Sequence, residues 1–104
     1  MQFEHVGIIT HAKPAGANYS PQKKLWITDY RDHPYRVEWL HFEPDSPVAE
    51  AVRTNTHIGY RVADLAEAAK GLKVLVEPFD IGRGVVAFYQ TDDGAVIELM
   101  QLRE

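Results

Sequence analysis

The residues best equipped for chemistry in this chain come in two matched pairs. His5 opens the string His5-Val6-Gly7-Ile8 and His57 opens His57-Ile58-Gly59-Tyr60, while Glu38 lies in Val37-Glu38-Trp39-Leu40 and Glu98 in Ile97-Glu98-Leu99-Met100. The histidines are 52 residues apart and the glutamates 60, the spacing of a duplicated unit that has lost a short element from one copy. Packed about a pseudo-twofold axis, two such units bring two imidazoles and two carboxylates together, and a metal site is the first reading of that set. Two neutral imidazoles and two carboxylates balance one divalent first-row ion; nickel, cobalt, zinc, manganese and iron(II) all suit these donors. A carboxylate among apolar neighbours needs a partner, so the rival arrangement is an ion pair of Glu38 or Glu98 with Arg36 or Arg61.

An ion with open positions can hold two neighbouring oxygens of a substrate and stabilise an enediolate or enolate as a Lewis acid. Proton transfer is the reaction type that follows. Glu98 or Glu38 is then the candidate base, and Arg36 or Arg61 the candidate partner of a substrate carboxylate. His11, His33 and His41 have no counterpart in the other half and read as loop or surface residues. Gly82-Arg83-Gly84 has no following Lys-Ser/Thr and reads as a turn, not a phosphate loop.

These side chains must be carried by strands. Phe3 to Thr10 is an apolar, β-branched run, and alternation puts Phe3, Gly7 and Ile9 on the face of His5, with the glycine leaving open volume beside it. His11 to Gln22 has no helical stripe and reads as a long loop, whereas Lys24 to Asp29 and Tyr35 to Phe42 read as strands flanking a polar turn. Arg36, Leu40 and Phe42 share the face of Glu38 by alternation. Asp45-Ser46-Pro47 places an N-cap and an N1 proline before Val48 to Val52, a short connector helix.

The second half reads as a strand (Thr56 to Val62), a helix from Asp64 with its capping Glu67 to Gly71, and three strands. Those strands are Lys73 to Glu77, Gly84 to Thr91 and Ala95 to Leu102, the last after an Asp93-Gly94 turn. Gly59 and Arg61 share the face of His57, and Val96 and Met100 that of Glu98; Val37, Trp39, Ile97 and Leu99 face the other way, toward helices. From His to Glu the first half spans 33 residues and the second 41, so the element missing from the first half is its helix. Trp26, Trp39, Phe42, Phe79, Phe88 and Tyr89 are spread across strands and read as core and dimer-face residues.

With 104 residues, 45% hydrophobic and 25% charged, the chain is one globular domain whose two halves share a core. A net charge of −4 with scattered Lys and Arg argues against a nucleic-acid partner. No cysteine is present, no apolar run is long enough to span a membrane, and the acidic start is unlike a signal peptide, so a cytoplasmic location is expected.

A duplicated βαβββ unit with His on the opening strand and Glu on the closing strand resembles the vicinal oxygen chelate superfamily, which includes glyoxalase I, methylmalonyl-CoA epimerase, extradiol dioxygenases and bleomycin resistance proteins. The residues that carry the likeness are Glu4-His5-Val6-Gly7-Ile8, Thr56-His57-Ile58-Gly59, Val62-Ala63-Asp64-Leu65 and Asp93-Gly94-Ala95-Val96-Ile97-Glu98-Leu99. The resemblance implies an α+β fold of two βαβββ-like repeats, the first truncated, that form a curved, incomplete barrel around a divalent metal. The repeats would cover about 1–44 and 55–104, with the connector helix at about 45–54. Carried over by position, the ligands are His5, Glu38, His57 and Glu98, a set similar to that of bacterial glyoxalase I. The expected activity is therefore a metal-dependent lyase or isomerase of glyoxalase I or epimerase type on a small vicinal-oxygen substrate. The alternative is a non-catalytic small-molecule binder like the bleomycin resistance proteins, which generally lack the ligand set; oxygen-dependent ring cleavage generally uses two His and one Glu. Homodimerisation is expected to cover what the missing helix would have covered, and the shortened first half departs from glyoxalase I chains, which use that region to help hold glutathione.

Overall fold

In the computed structural model, which describes residues 1–103, β1 (Gln2–Ile9) and β5 (His57–Arg61) lie antiparallel at the centre of one sheet. Glu104, the last residue assigned to the second repeat, lies outside the described residues. Each central strand has a parallel outer neighbour: β4 (Val37–Phe42) beside β1, and β8 (Val96–Leu102) beside β5. Beyond β4 come β3 (Leu25–Ile27) and β2 (Asn18–Ser20); beyond β8 come β7 (Gly84–Gln90) and β6 (Lys73–Asp80). The eight-stranded mixed sheet curls into a half-barrel, order β2-β3-β4-β1-β5-β8-β7-β6. The chain is thus mostly sheet with two helices of four residues, α1 (Glu50–Arg53) and α2 (Leu65–Ala68). No helix among the described residues is long and apolar enough to cross a membrane.

Both helices are shorter than their sequence signals suggest. Ser46 does not cap α1: its hydroxyl donates to the Lys23 carbonyl and accepts from the Val48 amide, so it fastens the connector to the β2–β3 turn and the helix starts only after Ala49. Asp64 does cap α2, accepting from the Glu67 amide, but the helix ends at Ala68, before the left-handed Gly71. No helix lies between β1 and β2, and the stretch read as a loop contains β2, paired antiparallel with β3. β6 runs on through Pro78, which a strand tolerates at a sheet edge; the pairing with β7 shifts register on both sides of Val76.

The two faces of the sheet are covered unequally. On the convex face α2 seals Leu65 against Val62, Ala87, Tyr89 and Leu99, as the alternation of Ile97 and Leu99 requires. The corresponding face of the first half has no helix, and Trp39 on β4 and Ile58 on the adjoining β5 remain 37% and 38% exposed. On the concave face, Val52 of α1 packs with Phe88 and Val96, and Tyr30 packs with Val86 and Met100. Tyr30 is delivered there by a single 3-10 turn, Tyr30–Asp32, capped by the Asp29 carboxylate accepting from the Arg31 amide.

Candidate metal centre

The sheet aligns the four residues singled out from the sequence in two rows. In one row Gly7 pairs with Glu38 on β4 and with His57 on β5; in the other Gly59 pairs with His5 on β1 and with Glu98 on β8. Each row therefore reads Glu, Gly, His across adjacent strands. The glycines do not leave open volume, as alternation suggested; the imidazoles fill it. An ideal Cβ on Gly7 would lie 2.1 Å from His57 Cε1, and one on Gly59 would lie 2.3 Å from His5 Cε1. Only glycine lets each ring lie across the neighbouring strand toward the carboxylate beyond it.

The result is a tight cluster. His5 Nε2 is 3.0 Å from Glu98 Oε1 and 3.6 Å from Glu38 Oε1. His57 Nε2 is 3.4 Å from Glu38 Oε1 and 3.3 Å from Glu98 Oε1, and the two Nε2 atoms are 3.3 Å apart. All four residues are buried, the histidines completely. Burial alone would push the His57 imidazolium down, but the hydrogen bonds to Glu38 and Glu98 outweigh it and raise His57 to about 9. Burial would likewise raise Glu98, and hydrogen bonds from His5 and His57 overcome it, lowering Glu98 to about 2. Both Nδ1 atoms are buried without a hydrogen-bond partner, so each ring presents its chemistry through Nε2 alone.

Arg36 and Arg61 do not join the cluster, and neither pairs with Glu38 or Glu98. Both converge on Glu4: Arg36 Nη2 donates to Glu4 Oε2 at 2.9 Å, and Arg61 Nε lies 3.6 Å from Glu4 Oε1. Arg36 sits at φ +59°, a left-handed residue ahead of β4, so strand alternation does not govern its direction. A bulge in β1 explains Glu4. The pairing with β5 shifts between Phe3 and His5, so Glu4 and His5 are consecutive yet both buried, and Phe3, placed on the His5 face by alternation, is 50% exposed.

Glu4 also accepts from the Tyr30 hydroxyl at 2.9 Å, and that hydroxyl accepts from Arg83 Nη2 at 2.7 Å. The Tyr30 ring stacks on the His5 imidazole with centroids 4.2 Å apart, while Phe88 meets the His57 ring edge-on. Tyr30 and Arg83 belong to the site although nothing in their spacing marks them; Glu4, a charged residue inside an apolar strand, was the one available signal. His33 accepts locally from the Tyr35 amide and His41 hydrogen-bonds across the sheet to the Thr10 carbonyl, both away from the cluster, and His11 is exposed.

A cavity of about 180 Å³ opens from Glu38 and Glu98 between the sheet and α1. Leu25, Leu40, Val52, Phe79, Phe88 and Met100 wall it, with Lys23, Tyr30 and Arg83 among its lining residues. No protein-family model and no curated protein matches the chain.

Proposed function

We propose that His5, Glu38, His57 and Glu98 hold one divalent first-row cation and that the chain is a metal-dependent lyase or isomerase of the glyoxalase I or epimerase type. The observation that carries this reading is the spacing of the four donor atoms, 3.0 to 3.6 Å over the five separations given above. Four ligands at about 2.0–2.1 Å from a shared ion stand roughly 3.3 Å from one another. Two carboxylates and two neutral imidazoles match a divalent charge, and the absence of thiolate leaves nickel, cobalt, zinc, manganese and iron(II) as the candidates. The half-barrel and its buried His/Glu cluster are compatible with a vicinal oxygen chelate domain, in which β1 to β4 and β5 to β8 are two βαβββ-like repeats, the first without its helix.

Such an ion supplies Lewis acidity to two neighbouring oxygens of a bound substrate. The chain's own residues do the rest. Glu38 and Glu98 face the cavity and are the groups able to take a proton from a substrate carbon and return it. Tyr30 holds the His5 ring in place from one side, and the apolar wall excludes water and takes the substrate's hydrocarbon part. A cavity of about 180 Å³ suits a small substrate and not a tripeptide thiol such as glutathione. The same reading includes a homodimer formed through the uncovered face around Trp39, which sedimentation over a range of concentrations tests.

Elemental analysis of protein purified without chelator decides the metal reading. One divalent ion per chain, lost in the His5→Ala/His57→Ala double variant, supports it and justifies screening 2-oxoacids, hemithioacetals and acyl epimers for turnover. Protein that takes up none of the candidate ions overturns it and leaves a non-catalytic small-molecule binder.

A further inference from the structure

Two cations that no strand pattern singles out line the cavity, one from each half of the chain. Lys23, in the β2–β3 turn, sets Nζ 3.8 Å over the ring of Phe79 on β6. Arg83, in the β6–β7 turn, reaches back to the Tyr30 hydroxyl. Arg83 is thus anchored; Lys23 Nζ has neither a hydrogen bond nor an ion pair among the described residues. Burial works against its charge, while the fields of Glu98 and Glu38 and the face of the Phe79 ring work for it.

The carboxylates' share of that support falls away when they are engaged. Two carboxylates and one divalent ion sum to zero, so a loaded cluster no longer offsets the ammonium, which lines the cavity without an anion of its own. A partly buried cation in that position calls for a counter-ion. We infer that the cavity binds a small organic acid: a carboxylate against Lys23, a short hydrocarbon body against Phe79, Phe88 and Met100, and its remaining oxygen toward the four-donor cluster. The inference rests on the metal reading above and names the substrate class of that site. It moves the anion-binding role from Arg36 and Arg61, which converge on Glu4 and do not line the cavity, to Lys23.

Calorimetric titration of the metal-loaded protein tests it with two probes of nearly equal shape. One is α-ketoisocaproate; the other is its neutral diketone analogue, in which a methyl group replaces one carboxylate oxygen. The wild type should bind the anion about tenfold more tightly than the diketone. Lys23→Met should abolish most of that preference, Lys23→Arg should keep it, and diketone binding should be alike in all three. Equal affinity of the wild type for both probes, or a preference that survives in Lys23→Met, overturns the inference. Lys23→Gln supplies the same comparison if Lys23→Met fails to fold, since the metal itself favours a keto acid and only a change at Lys23 separates the two sources of preference. Metal content is measured on the same samples: a metal-loaded protein without the preference refutes the anion site only, whereas a wild type that takes up no metal refutes both readings.

Discussion

The imidazole of His57 lies where a side chain on Gly7 would begin, 2.1 Å from an ideal Cβ, and His5 stands in the same relation to Gly59. Each histidine reaches its carboxylate only because the strand between them has no side chain at that level. Gly7→Ala and Gly59→Ala should each force a ring out of the cluster, costing about 1–3 kcal/mol in urea unfolding. Elemental analysis should find metal content sharply reduced in both. Gly16→Ala is not a suitable control, because its φ of +73° strains any side chain even though nothing lies within 4 Å.

Without metal, the cluster should give stability a defined pH window. His57 is raised to about 9, so its contribution is complete below about 6.5 and is lost as pH rises toward 9. Glu98 is lowered to about 2, so its contribution is complete above about 4.5 and is lost as pH falls toward 2. Thermal melts of chelator-treated protein should peak between those limits. Melts that keep rising to pH 9 would contradict the His57 assignment.

Metal binding should run the other way with pH. Ligation needs neutral imidazoles, and a His57 held protonated to about 9 must release its proton when an ion enters. Apparent affinity should therefore climb from pH 6 to 9, and titration in buffers of different ionisation enthalpy should report proton release. A pH-independent affinity would mean that His57 is not a ligand.

Tyr30 joins two roles that substitution can separate. Tyr30→Phe keeps the ring on His5 but removes the hydroxyl between Glu4 and Arg83, so it should cost about 1–2 kcal/mol of stability and leave metal affinity unchanged. Tyr30→Ala removes the ring as well and should weaken metal binding about tenfold or more.

Glu4→Gln tests the second charged group beside the cluster. Two arginines would lose their shared carboxylate, yet their side chains are 41% and 46% exposed, so water offsets much of the loss and about 1 kcal/mol is expected in urea unfolding. A much larger effect would show that Glu4 holds β1 in its bulged register.

The cluster was legible because His and Glu recur at matched places in strands whose alternation holds. Leu40, Phe42, Val96 and Met100 face inward with Glu38 and Glu98 as their spacing requires. Alternation misled wherever the backbone left the regular strand: at the Glu4 bulge, and at Arg36 with its left-handed φ. Neither feature has a glycine or a turn dipeptide to announce it. Lys23 and Arg83 escaped notice for another reason: both lie in turns, where residue spacing says nothing about direction, and reach the cavity through long side chains. Helix lengths differ because Ser46 fastens the connector to the β2–β3 turn instead of capping α1, and because α2 ends three residues before the left-handed Gly71.

The four donors sit at residues 5, 38, 57 and 98, each on a different strand, and the outermost are 93 positions apart. No short segment of this chain can hold an ion by that set. The β1–β5 and β5–β8 pairings must both be complete before His5 and Glu98 meet, so metal capture by this set would come after folding and could not nucleate it. A divalent ion would then bind the native state alone and protect it in proportion to the logarithm of its concentration, slowing unfolding far more than it speeds refolding. The fraction of chains bearing metal would thereby gauge how many have finished folding.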